Sequence, residues 1–143
     1  MANLRYFKMK TLKKVIPLII LFILFLNLGS FSLSQEIPRD IAIAFKVGNA
    51  DELSRYFNNT IELVILDKED VYSKVQAKQI IDQFFIDHTP KSFEFVHQGG
   101  KEESQFAIGK LVTFNGTFRI YLLIKIKNDQ SFIHQLRIET ENE

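Results

Sequence analysis

Two long apolar runs, residues 105–114 and 117–127, meet at Asn115-Gly116, and that junction constrains this chain more than any other feature. Asn-Gly between alternating apolar segments is the strongest short-range signal for a β-hairpin, because a tight turn needs backbone conformations that these residues adopt readily. A two-residue loop at Asn115-Gly116 pairs Phe114 with Thr117, Val112 with Arg119, Lys110 with Tyr121, Ile108 with Leu123 and Phe106 with Lys125. Opposed residues share a face. One face therefore carries Ala107, Gly109, Leu111, Thr113, Phe118, Ile120, Leu122 and Ile124. It is almost purely apolar and must pack on the rest of the chain. The other carries Phe106, Ile108, Lys110, Val112, Arg119, Tyr121, Leu123 and Lys125, a solvent side of unusual apolar content.

The remaining runs extend this pattern in both directions. Residues 132–139 read as the next strand after a break at Asn128-Asp129. In the same phase Phe132, His134, Leu136 and Ile138 face the core, while Ile133, Gln135, Arg137 and Glu139 join the mixed face. Residues 93–97 form a strand ended by Gly99-Gly100, and residues 61–66 another, followed by a charged turn and a short extended Val71-Tyr72. Helical spacing is confined to earlier positions. Ile37, Ile41, Ala44 and Phe45 follow it around Pro38 and stop at Gly48-Asn49, and Leu53, Tyr56 and Phe57 mark a second short helix. Ser73-Lys74-Val75-Gln76 is a capping box opening a helix whose apolar stripe is Ala77, Ile81, Phe84, Phe85 and His88, with Pro90 forbidding its continuation. Helices first and an antiparallel meander after them give an α+β fold.

The first 34 residues are a different kind of sequence. They hold five basic residues and no acidic one, then an apolar run of 14 residues, 15–28, containing Pro17 and Asn27, then Gly29 and small residues up to Ser34. These are the parts of a secretory signal, with cleavage expected near Ser34 and translation starting at Met1 or Met9. The alternative is an uncleaved N-terminal anchor, for which a spanning helix needs about 20 apolar residues. The organisation expected is a signal peptide, 1–34, and one domain, 35–143, placed in the periplasm or secreted, with membrane contact only during export. The chain has no cysteine. That removes disulfides and thiol chemistry and makes a bacterial envelope protein the simpler reading. Without the five leader charges, 13 of the 18 basic residues face 17 acidic ones, a net charge of about −4, which argues against a nucleic-acid partner.

The order of elements resembles the cone-shaped fold of nuclear transport factor 2 and its relatives, in which N-terminal helices lie on a curved antiparallel sheet. More narrowly, the chain is similar to an uncharacterised family of exported bacterial domains of unknown function with that cystatin-like cone. The resemblance is carried by Phe45 with Gly48-Asn49-Ala50, Tyr56-Phe57, Tyr72-Ser73-Lys74 with Phe84-Phe85, His97-Gln98-Gly99, Ile108-Gly109-Lys110-Leu111, the segment from Gly116 to Tyr121, and Leu136-Arg137-Ile138-Glu139. It implies a fold and no activity, because the wider fold hosts isomerases, dehydratases, carriers and interaction modules.

Chemistry-bearing residues are sparse. His88, His97 and His134 lack the spacing of metal ligands, so no metal and no cofactor are expected. Gly99-Gly100-Lys101 has no following helix to hold a phosphate, and the cluster Asp67, Glu69, Asp70 lacks the pattern of a calcium loop. No nucleophile–base grouping can be drawn from spacing, and no catalytic residue is assigned. The mixed face is the informative surface. Lys110, Arg119, Tyr121, Lys125 and Arg137 alternate there with apolar groups, the composition interface cores favour. The expectation is an exported non-enzymatic binding or assembly module, its partner an unidentified protein or a second copy of itself in a homodimer. The alternative is a small apolar-ligand binder, or an isomerase- or dehydratase-like enzyme, using a cone pocket with Phe84, Phe85, Thr113 and His134 as candidates.

Overall fold

The computed structural model of the protein describes residues 16–17 and 36–141. The leader expected over 1–34 therefore lies outside the described residues, except for Ile16 and Pro17. Among the described residues no helix is long and apolar enough to cross a membrane.

Over residues 36–141, three helices precede or interrupt a six-stranded sheet. Helix α1 (Arg39–Val47) follows Pro38 and ends where Gly48 turns left-handed at φ 66°, its N–H and that of Asn49 closing on the Phe45 and Ala44 carbonyls. Asn49 then caps α2 (Ala50–Ser54) by accepting from the Glu52 N–H at 3.0 Å. Helix α3 (Lys74–Asp87) opens on the expected capping box: Ser73 Oγ accepts from the Gln76 N–H, and Gln76 Oε1 from the Ser73 N–H. Reciprocal caps satisfy donors that a helix start leaves orphaned.

The strands are β1 (Phe57–Ile65), β2 (Lys68–Ser73), β3 (Pro90–Lys101), β4 (Ser104–Thr113), β5 (Gly116–Lys127) and β6 (Gln130–Thr140). They lie in the order β2-β1-β6-β5-β4-β3. Every pair is antiparallel except β1–β6, which is parallel and makes the sheet mixed. The helices cover one face. Ile41, Phe45, Leu53, Ile81, Phe84 and Phe85 meet Ala107, Leu111, Phe118, Ile120, Leu122 and Ile124 in one buried core. Burying such a side chain is worth about 1.5–3 kcal/mol. The fold class and the assignment of the β4–β5 faces are as the sequence implied.

Several local expectations are corrected. The β4–β5 pairs are Thr113 with Gly116, Val112 with Thr117 and Ile108 with Tyr121, so the turn is Phe114-Asn115 rather than Asn115-Gly116. Within that turn the Asn115 amide donates to the Asp87 carbonyl at the end of α3, at 2.9 Å. A displacement of two residues leaves every side chain on its face. Gly99-Gly100 does not end β3, which runs on to Lys101 and turns at Glu102-Glu103. Gly99 is instead covered by the Phe106 ring, whose atoms would lie 2.8 Å from an added Cβ. Phe57 opens β1 rather than closing a helix, since the Tyr56 carbonyl accepts from the Ile133 N–H and draws this segment onto β6.

In β6 a bulge at His134 intervenes between the pairs Leu123–Gln135 and Ile124–Ile133. It reverses the alternation, so Ile133 is fully buried in the core while Phe132 and His134 are only half-buried. A second bulge at Val96 in β3 likewise carries Phe93 and Phe95 to the core side and His97 outward, opposite Ile108.

Candidate functional site

Strand register arranges the outer face of the sheet in rows. One row, from β3 to β6, reads Glu94, Lys110, Arg119, Glu139. The next reads His97, Ile108, Tyr121, Arg137, and the third Gly99, Phe106, Leu123, Gln135. Below them Lys125 stands between Ser104 and Phe132. Ile108, Tyr121, Phe106 and Leu123 thus form a central apolar block, all half-buried, with charged rows on either side. The Phe106 ring stacks on Tyr121 at 6.5 Å between centroids and tilts against His97 at 5.5 Å. Two ion pairs dress the rim: Lys110 to Glu141 at 3.0 Å and Arg137 to Glu139 at 3.1 Å. Gln135 donates to Glu62 of β1. Arg119 and Lys125 are exposed and have no ion-pair partner among the described residues. All five residues singled out on this face, Lys110, Arg119, Tyr121, Lys125 and Arg137, come together there.

Of the four pocket candidates only Phe84 and Phe85 meet, their rings edge-on at 6.0 Å. Phe84 and Phe85 are each 5% exposed, and Thr113 3%. Phe85 packs edge-on against Phe45 and Phe84 against Phe118, while the Thr113 hydroxyl is engaged by the Gly116 carbonyl and by Asn115. His134 belongs to the outer side, where burial and then the Lys125 ammonium hold its pKa below the ordinary 6.5. The bulge is the physical reason for this correction.

A concave site lies elsewhere, between α3 and the β1–β2 hairpin. It is an open groove of about 380 Å³ whose apolar lining includes Leu63, Ile65, Tyr72, Ile80 and Phe84. Its polar lining is Lys68 and, on the last turn of α3, Gln83, Asp87 and His88. The hairpin turns at Leu66, held at φ 55° with its N–H on the Ile138 carbonyl. His88 sits between the rings of Phe84 and Phe118, at 4.7 and 4.8 Å, with Nδ1 3.0 Å from Asn115 Oδ1. Sequence reasoning placed His88 on the helix stripe but not in this groove, and it gave Asn115 only a turn role. A contact spanning 27 residues leaves no local signal. Among the described residues no cluster of His, Asp or Glu is placed to hold a metal ion.

Helices on one face of a curved, open six-stranded sheet define a nuclear transport factor 2-like, or cystatin-like, cone. An NTF2-like protein of unknown function from Shewanella baltica superposes with a TM-score of 0.59 at 11% identity, over 73% of this chain and 88% of that one. A domain of unknown function with a cystatin-like fold from Nostoc punctiforme does so with 0.58 at 11% identity, over 73% of each. At these identities the likeness concerns the fold alone. The family is narrower: residues 38–139 match the model of the domain of unknown function DUF4783, and the chain belongs to that family. Its similarity to a DUF4783 family protein from Bacteroides ovatus is 38% identity with a TM-score of 0.72, over 76% of this chain and 99% of that one. A DUF4783 family protein from Bacteroides uniformis is 36% identical, with the same score, over 76% of this chain and all of its own. No curated protein matches the chain in sequence.

Proposed function

We propose that this domain is an exported, non-enzymatic binding or assembly module that pairs with a second copy of itself through the outer face of its sheet. One observation carries the reading: Ile108, Tyr121, Phe106 and Leu123 form a contiguous apolar block on the face opposite the three helices of residues 36–141. Apolar centres with polar rims are how protein interfaces are built, and a contiguous half-buried apolar block on a solvent-facing sheet is a patch of that kind. The row Glu94, Lys110, Arg119, Glu139 runs acid, base, base, acid across four strands. Centred on a two-fold axis this row would set like charges opposite one another, so self-pairing needs the axis displaced to between Glu94 and Lys110 or between Arg119 and Glu139, where acid meets base. Of the candidates for a ligand in the cone, Phe85 and Thr113 are already engaged by core packing and the turn, while Phe84 lines the groove beside α3.

The test is the native mass of the protein and of Tyr121→Glu and Arg119→Glu. A charge placed in a central aromatic position costs roughly 2 kcal/mol or more, about a 30-fold weaker dimer. The native protein is expected at twice the mass of the variants, with all three equally folded by circular dichroism. A native protein that is monomeric, or variants of unchanged mass, would remove this interface.

A further inference from the structure

The groove beside α3 is separate from the sheet face, and the chemistry of its polar end follows from Asn115. The Asn115 amide nitrogen donates to the Asp87 carbonyl at 2.9 Å, which fixes the amide oxygen as the end that meets His88. That oxygen lies 3.0 Å from His88 Nδ1 and 3.0 Å from the Thr113 hydroxyl, whose one proton it shares with the Gly116 carbonyl at 2.8 Å. Two acceptors cannot bond to one another, so Nδ1 must carry a proton. In the neutral imidazole the lone pair is then on Nε2, on the ring edge away from Asn115. Since His88 lines the groove, that edge is the one left to meet a ligand.

The other polar groups decide what kind of ligand suits it. Lys68 and Asp87 line the same groove, and their formal charges cancel. Asp87 Oδ1 already accepts from Gln83 at 2.9 Å. A carboxylate or an ammonium brought here would shed water without a net opposite charge to receive it. A hydroxyl carries no charge, donates to an imidazole nitrogen and accepts from an ammonium in the same site. The groove volume, about 380 Å³, falls within the ~300–1,000 Å³ typical of small-molecule sites. The geometry points to a binding site for small apolar alcohols or phenols, with the body against Ile65, Tyr72, Ile80 and Phe84 and the hydroxyl donating to His88 Nε2.

The probe is 4-propylphenol, set against propylbenzene, 4-propylbenzoate and 4-propylbenzylammonium, with binding followed by ¹⁵N spectra of the backbone and of the histidine rings. The free protein should show His88 as the Nδ1–H tautomer. The phenol should shift His88 Nε2 and the amides of Ile65, Tyr72 and Ile80, and bind about three- to tenfold tighter than propylbenzene, the worth of one neutral hydrogen bond. His88→Phe keeps an aromatic ring between Phe84 and Phe118 and should bring that ratio close to one. A proton found on Nε2, a charged analogue binding as tightly as the phenol, or a phenol no tighter than propylbenzene would overturn the assignment. Should His88→Phe fail to fold, the tautomer and the ligand series on the native protein decide. Tyr121→Glu, altered on the opposite face of the sheet, should bind the phenol as the native protein does, so failure of this site and failure of the dimer are read separately.

Discussion

Gly109 of β4 lies beneath the ring of Phe93, and replacing it with alanine tests how tightly the core is closed. A Cβ added there would sit 2.4 Å from Phe93 Cζ, 2.5 Å from Cε2 and 3.2 Å from the Glu94 carbonyl oxygen. Carbon atoms pack at ~3.5–4.0 Å, so the ring must retreat by about 1 Å. It has no free direction. Phe93 is stacked on Phe45 at 4.7 Å, meets Phe95 edge-on at 5.1 Å, and is 9% exposed. Overpacking of this kind costs about 1–3 kcal/mol, and the retreat required places it near the top of that range. Against it stands the gain of about 0.5–1 kcal/mol from removing a flexible glycine from the unfolded chain.

The net expectation is a loss of about 2 kcal/mol, or a urea midpoint lower by roughly 1 M with an unchanged slope. Gly99→Ala is the control. Its Cβ would lie 2.8 Å from Phe106, but that ring is on the half-open outer face and can swing aside. The change there should stay within about 0.5 kcal/mol. In Gly109→Ala, the further change Phe93→Leu should cost less than it does alone, by about 0.5 kcal/mol or more. Equal effects at the two glycines, or a neutral Gly109→Ala, would refute the idea that a locked ring sets the cost.

Two further outcomes follow from the same contacts. Asn115→Ala removes the donor to the Asp87 carbonyl and the acceptor shared by Thr113 and His88, and should lower stability by about 1–2 kcal/mol in urea melts. For His134, burial and then Lys125 depress the folded pKa below 6.5. The unfolded chain therefore binds that proton more readily, so the stability contribution is complete above about pH 6.5 and falls as pH drops through the folded value. Urea midpoints at about pH 7.5 and pH 5.5 should differ less in His134→Gln than in the native protein.

The faces of β4 and β5 were legible and the register between them was not, for a single physical reason. Side chains in a strand alternate with period two, so an error of two residues at the turn moved no residue between core and solvent. The observed turn also holds a contact from Asn115 to α3, which composition does not encode. The bulges at Val96 and His134 were invisible too. An inserted residue leaves the string of residue types looking regular while exchanging the sides of everything beyond it, and so Ile133 and Phe132 traded places. Gly99 read as punctuation because a glycine in a strand usually marks its end; here its missing side chain makes room for Phe106. The groove was illegible because its walls, α3 and the β1–β2 hairpin, meet only through tertiary packing.

The outer face has a different standing, because its composition outlasts every correction of register. Strand β5 alternates Ile120, Leu122 and Ile124 inward with Arg119, Tyr121, Leu123 and Lys125 outward. Solvent alone asks nothing of Leu123, and the core cannot use it, since a strand presents each side chain to one face. The bulge in β6 even adds to this side, giving it Phe132 in exchange for Ile133. The three helices of residues 36–141 pack on the opposite face, so within this domain none of them covers Phe106, Ile108, Tyr121 and Leu123. Lys110, Arg119 and Arg137 surround the block with stems that can shield it partially and charges that can align a second surface. That apolar content is the basis of the proposed pairing with a second chain, which the native mass of the protein and of Tyr121→Glu tests.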